Sequence, residues 1–281
     1  MAGLGRPRDG IDDHSFNEAG SLLDALSPRH GRWQDDPLGW IFRGHADADW
    51  ELRSKAARSP TVFQEYGVAT LATDWSSRSH GQDALLEVFR TGLNRAGLVI
   101  PTPAPVVRRG NQITHPGAEP DREAFPLLAL AQHHGLPTIL LDWTRWGWVA
   151  AYFAAAEAAD LARRRGTHLA VWALHRDAFP IDRHGSSIFY EAPGGTNPNL
   201  NAQAGLFTVH HREDSPSLEV FLSEWRKHEA VPVPQRLTLP VTEAPKLLRL
   251  LAYEGVTGAS LFPGADGVVK SMRERALWDR P

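Results

Sequence analysis

The run Leu128–Ala158, "LALAQHHGLPTILLDWTRWGWVAAYFAAAEA", decides how this chain folds. Its first part is apolar at helical spacing and stops at Gly135, a residue suited to close a helix, with Pro137 reinforcing the break. "TILLDWT" then reads as a buried strand that ends on Asp142, Trp143 and Thr144. Thr144 is placed to cap a following alanine-rich helix, "RWGWVAAYFAAAEAADLARRR", whose terminal arginines suit its negative dipole end. The expected order is therefore helix, turn, strand, helix, with polar side chains gathered where the strand ends.

Working outward, a short helix is expected at "GSLLDALSPR", and a strand at Trp40–Phe42 that Gly44 stops. A second brief strand is expected around Trp50 and Leu52, then a helix over "GQDALLEVFRTGLNRAG". Residues 98–123 are rich in proline and polar groups and read as an insertion within one domain. "THLAVWALHR", "AGLFTVHH" and "RLTLPVT" read as strands. "SSIFYEAPGGTNPNLNAQ" reads as mostly loop, and "SLEVFLSEWRKHE" as helix or strand. "EAPKLLRLLAYEG" and the tail after it add further helix. Strands and helices mix without a regular βαβ beat. That predicts an α+β fold with a mixed or antiparallel central sheet flanked by helices. The expected organisation is a flexible lead-in over 1–17 and a single domain over 18–281.

Composition narrows the function classes. The chain has 281 residues, 42% hydrophobic and 22% charged, as in globular proteins, and is long enough for a sizeable core. A net charge of -3 provides no global field for nucleic acid or anionic membrane. Two local arginine clusters, "VVRRGN" at 106–111 and "LARRRG" at 161–166, read as a loop and a solvated helix end. Without cysteine there are no disulfides or thiolate metal sites. No apolar run approaches the roughly 20 residues a membrane span needs, and the N-terminus has no apolar signal core, so a cytoplasmic location is expected.

Several residues invite chemistry. Arg43 ends an apolar strand before Gly44, where a ligand can approach backbone and a guanidinium fork suits phosphate or carboxylate. The competing reading is an ion pair with Asp47, Asp49 or another carboxylate. Asp142, following Leu140 and Leu141, needs a partner if buried: Arg43, a histidine, or the next helix's backbone. It serves equally as a brace for the strand-to-helix turn. His133 and His134 are adjacent, about 100° apart on a helix, and lack the i, i+4 spacing of a metal pair; no metal site is expected. Trp143, Trp146 and Trp148 read first as packing residues. The glycine-rich "PGGTNPN" lacks a following lysine and helix, which makes it a weak phosphate signal.

"FRG" at 42–44 with "DWEL" at 49–52, then "AQHHGLPTILLDWT" and "VAAYFA", resemble the FRG-domain family, named for that tripeptide. "AQAGLFTVH" at 202–210 and "LFPGADGV" at 261–268 are similar to its later blocks, so the resemblance runs from about residue 38 to 270. The order of blocks also resembles the ADP-ribosyltransferase superfamily. That likeness implies an arginine-ended strand that holds NAD, a Ser-Thr-Ser strand leading to an A-x-x-F-A-like helix, and a later strand with a catalytic glutamate. Arg43 with Gly44 would be the first element. Asp142, Trp143 and Thr144, with the helix through Ala150 and Phe153, would be the second, and Gln203 the third. Asp-Trp-Thr replaces Ser-Thr-Ser, and Gln203 stands in the glutamate's place. Glutamine keeps the hydrogen bond but not the charge. Asp142, Glu191 and Glu219 are then the candidate acids.

The likeness implies catalytic roles for Arg43, Asp142, Thr144 and Gln203, and nucleotide contacts from Arg43, Gly44, His133, Trp143, Phe153 and Phe207. It implies NAD as substrate, a protein or nucleic-acid acceptor, and a toxin or phage-defence setting. The rival readings are a non-catalytic nucleotide or nucleic-acid binding module and a metal-dependent nuclease.

Overall fold

A computed structural model describes residues 10–101, 124–160, 166–178, 187–191, 198–210, 217–225 and 232–278. The strands are β1 (Asp12–Ser15), β2 (Trp40–His45), β3 (Leu140–Thr144), β4 (His168–His175), β5 (Ser187–Tyr190), β6 (Gly205–His210) and β7 (Gln235–Pro240). They form one seven-stranded sheet in the order β1-β7-β4-β2-β3-β6-β5. Only the β1–β7 pair is parallel; the other five are antiparallel. The helices are α1 (Ala19–Ala25), α2 (Trp75–Arg95), α3 (Phe125–His133), α4 (Gly147–Ala158), α5 (Pro198–Ala202), α6 (Leu218–Trp225), α7 (Ala244–Tyr253), α8 (Gly258–Leu261) and α9 (Ala265–Arg275). This is the α+β arrangement expected of the sequence.

The alternation of side chains along the strands divides the core. Phe42, Leu169, Val171, Ala173, Leu237 and Leu239 pack with α1, α4 and α7. Ile41, Trp143, Trp172 and Leu206 face the other way and pack with Leu218, Phe221 and Leu222 of α6. A third cluster joins α2 and α3 to Leu140, Phe207 and Val209.

The opening stretch takes the expected order of helix, turn, strand and helix. α3 ends at His133 and is closed by Gly135, whose φ of 83° is left-handed, while Leu136 N–H returns to the Ala131 carbonyl at 3.0 Å. That reverse bond and glycine together form a Schellman closure. α4 begins later than the sequence suggests, at Gly147. Thr144 is not its cap; its hydroxyl instead accepts the Trp146 N–H at 3.1 Å and donates to the Gln203 carbonyl at 2.7 Å.

Other expectations need correction. Residues 10–17 are no flexible lead-in. β1 pairs with β7, and Asp13 grips the buried Arg236, with Nε 2.6 Å from Oδ1. No strand forms at Trp50 and Leu52: the Leu52 N–H is taken by the Glu219 carboxylate at 2.9 Å and its carbonyl by the Leu218 N–H at 3.1 Å. The stretch read as loop contains β5 and α5, and "SLEVFLSEW" resolves as helix α6. α2 starts at Trp75 because Asp74 and Ser77 form a reciprocal capping box, six residues before the expected start at Gly81. Both arginine clusters, almost all of the proline-rich insertion and most of "PGGTNPN" lie outside the described residues.

Candidate functional site

The β2–β3 ladder consists of a single pair, Phe42 opposite Thr144. Beyond it the two strands are no longer bonded directly, and Arg43 stands at the opening. Its Nη1 donates to the Asp142 carbonyl at 2.7 Å, supplying a partner for a backbone oxygen that β2 leaves unpaired. The same nitrogen lies 3.5 Å from the Asp142 carboxylate, and Nε donates to His45 Nε2 at 3.0 Å. His45 Nε2 is the acceptor of that bond, its lone pair facing the guanidinium. The Arg43 side chain is only 14% exposed. Burial pushes its pKa down, and Asp142 opposes that shift. The expected ion pair thus forms, with Asp142 rather than Asp47 or Asp49.

Asp142 has a second tether. Its Oδ1 accepts from Gln132 Nε2 at 2.5 Å, while Gln132 Oε1 accepts the Thr138 hydroxyl. Thr138 Oγ1 also accepts the Leu140 N–H at 3.2 Å. Gln132, Thr138 and Asp142 of "QHHGLPTILLDWT" thus form one hydrogen-bonded chain that leads to Arg43. Sequence reasoning passed over Gln132 for the histidines beside it. The signal was there: an amide at a helix end, closely followed by a threonine and an aspartate, can bond to both.

A cleft of about 1060 Å³ opens at this split. Arg43, Gly44, Asp142, Trp143, Thr144, Phe153 and Gln203 all line it, from β2, β3, α4 and the turn before β6. They come together because β2, β3 and β6 are consecutive neighbours in the sheet. Two proposed contacts fall outside the lining. His133 is exposed at the end of α3 and packs edge-on against His134. Phe207 is 3% exposed and stacked on Tyr190 in the α2–α3 core cluster. Trp143 reaches the lining but is 3% exposed, and its indole N–H donates to Thr208 Oγ1 at 2.8 Å. It is a packed wall, not a stacking platform.

Gly44 has a structural reason. A Cβ there would overlap the Ala150 carbonyl oxygen and come within 2.7 Å of the Ala154 nitrogen. What approaches this glycine is the backbone of α4, not necessarily a ligand. The alanines of "VAAYFAAAEA" serve the same end, since Ala150, Ala151, Ala154 and Ala155 are wholly buried and let α4 lie close to the sheet.

Gln203 is held at both ends of its residue. Its carbonyl accepts from Thr144, and Nε2 donates to the Leu261 carbonyl of α8 at 3.0 Å. Of the alternative acids, Glu219 is buried against Leu52 and Glu191 is paired with Arg145; neither lines the cleft. The cleft's acids beyond Asp142 are Glu157, Asp160 and Glu274, and its further cations are Lys270 and Arg273 of α9. Sequence reading missed these. Glu157 lies one helical turn beyond Phe153, on the same face, and that spacing could have found it. Among the described residues no group of three His, Asp or Glu converges as a metal would need. No helix among them is long and apolar enough to cross a membrane.

The FRG-domain family model matches residues 39–163, which takes in Arg43, Gln132, Asp142 and α4 and ends before Gln203 and α9. No curated protein and no solved structure matches the chain.

Proposed function

For a chain that carries an FRG domain over residues 39–163, we propose that the cleft binds NAD and transfers ADP-ribose to a protein or nucleic-acid acceptor. The observation that carries this reading is the adjacency of β2, β3 and β6, which gathers Arg43, Asp142, Thr144 and Gln203 at one opening. The residues fit such a ligand. The cleft volume of about 1060 Å³ lies at the upper end for small-molecule sites, the size an extended dinucleotide needs. Arg43 Nη2 makes no hydrogen bond among the described residues, while Nη1 and Nε are fixed by Asp142 and His45. A guanidinium held on two sides with one edge open is preorganised for a diphosphate oxygen. Lys270 and Arg273 add positive charge on the α9 wall.

When bound, NAD supplies a nicotinamide–ribose bond; its electron pair leaves with nicotinamide, an acceptor lone pair takes the ribose carbon, and the acceptor's proton is released. The protein's part is electrostatic. Arg43 orients the anionic half, Phe153 offers an apolar wall, and the cleft's carboxylates favour positive charge as it develops. Gln203 Oε1 makes no hydrogen bond among the described residues and is available to a ribose hydroxyl.

The test is nicotinamide release and thermal stability of the purified chain with NAD. Millimolar NAD should raise the melting temperature by several degrees. Nicotinamide should accumulate with cell extract, and Arg43→Ala should abolish both. An unchanged melting temperature together with no release from any extract ends the proposal. One observation favours a second reading, the non-catalytic binding module: Gln203 is a neutral amide whose Nε2 is already taken by Leu261. Stabilisation by NAD without any release would select it. The nuclease reading finds no metal-holding group among the described residues to support it.

A further inference from the structure

We infer that Glu157 is the catalytic carboxylate of the cleft, taking the acceptor's proton and holding the nicotinamide end of the dinucleotide; this rests on the NAD reading above. The assignment follows from what each cleft acid is already doing. Glu274 is buried, with one oxygen accepting the Tyr152 hydroxyl and the other the Gly258 N–H at 3.1 Å. Asp142 is divided between Gln132 and Arg43. Asp160 also has a partner. Glu157 lines the same cleft, is exposed, and its carboxylate makes no hydrogen bond or ion pair among the described residues.

Its placement suits the chemistry. α4 presents Ala150, Phe153, Ala156 and Glu157 to the cleft, with Asp160 just past its end, and Ala150 and Ala154 seat the helix on Gly44 beside Arg43. Glu157 is close enough to Arg43 to bear on its ionisation. A diphosphate on Arg43 therefore leaves Glu157 as the uncommitted negative charge near the ligand's cationic end. As the nicotinamide–ribose bond breaks, its electron pair neutralises the pyridinium. The acceptor O–H or N–H forms the new bond to the ribose carbon, and its proton passes to the Glu157 carboxylate and then to water. General-base help of this kind contributes about 10²–10⁴-fold. It also removes the need for a charged group at Gln203.

Two measurements test Glu157, using the full chain and the Glu157→Gln variant. Nicotinamide release in extract should fall at least about 100-fold in Glu157→Gln, while Glu157→Asp retains part of it. Binding gives a readout that needs no turnover. The wild type should prefer NAD, with its cationic ring, over the neutral-ringed reduced form by roughly five- to tenfold. That preference should fall to about one in Glu157→Gln, with the affinity for the reduced form little changed. An exposed glutamine on a helix leaves folding intact, checked by an unchanged melting temperature. If the wild type releases nicotinamide and Glu157→Gln does so equally, or if the redox preference survives the substitution, Glu157 is not the base and the NAD reading stands. If the wild type neither binds NAD nor releases nicotinamide, both fail together.

Discussion

At Gly44 a single added atom would have nowhere to go. Its missing side chain lets β2 and α4 touch through backbone, and a methyl group would meet the Ala150 carbonyl instead of open space. Neither partner can yield easily, since both atoms belong to regular elements and the alanines around them are buried. Gly44→Ala should therefore destabilise at the upper end of overpacking costs, about 3 kcal/mol, and shift Arg43 within the cleft. Urea titration reads the first effect directly, and weaker NAD stabilisation reads the second. A midpoint equal to wild type would mean that β2 and α4 have slack. The Arg43–Asp142 ion pair itself is partly exposed and contributes at most about 1 kcal/mol, so its role is orientation more than stability.

Among the elements, α3, the turn and β3 act as one unit, and this is the part the sequence made most legible. Gly135, Pro137 and the apolar "TILL" run act through local rules, of backbone conformation and periodicity, that a single sequence displays. The pocket was legible in part. Arg43, Asp142 and Gln203 could be placed at strand ends, yet which strands are neighbours depends on long-range pairing that no local pattern encodes. Glu157 escaped notice because its mark in the sequence, a place one helical turn beyond Phe153, gains meaning only once the other wall is known. β1 escaped because "DDHS" is polar; its place in the sheet comes from Arg236, more than two hundred residues away. His133 and Phe207 were misplaced for the opposite reason, since nearness in sequence to a motif says nothing about which face a side chain takes. The local part has a direct test. Gly135→Ala forces a left-handed φ of 83° on a residue with a Cβ, and should cost about 1 kcal/mol. An equal loss is expected in β3, because Gln132 in the last turn of α3 ties it to Asp142. Amide exchange would show α3 and β3 loosening together; exchange confined to α3 would contradict their coupling.

At the scale of the whole molecule, two phenols, the buried Tyr152 and the half-buried Tyr190, join the cleft and the core to pH. Tyr152 of α4 donates to Glu274 of α9, whose other oxygen holds the Gly258 N–H that opens α8, so three elements meet at one carboxylate behind the cleft wall. Burial, and then Glu274, pushes the Tyr152 pKa well above the usual phenol value. Burial pushes Tyr190, which packs on Phe125 and Phe207 at the other end of the sheet, up to about 12. In both the folded state favours the neutral form. Their contribution is complete below the unfolded phenol value of about 10 and is lost as pH rises through the folded value. Stability against urea should hold steady up to about pH 10, then fall, with Tyr190 spending its share by about pH 12. Tyr152→Phe should flatten that alkaline slope. It should also lower stability at neutral pH by about 1–3 kcal/mol, because Glu274 loses a donor in a buried setting. Tyr190→Phe should flatten the slope without the neutral-pH loss, its hydroxyl having no hydrogen-bond partner among the described residues. Urea midpoints at pH 8, 10 and 11.5 for the three proteins separate these effects. If all three lose the same stability between pH 10 and 11.5, neither phenol is held neutral by burial, and the α4–α9 contact is not what braces the cleft.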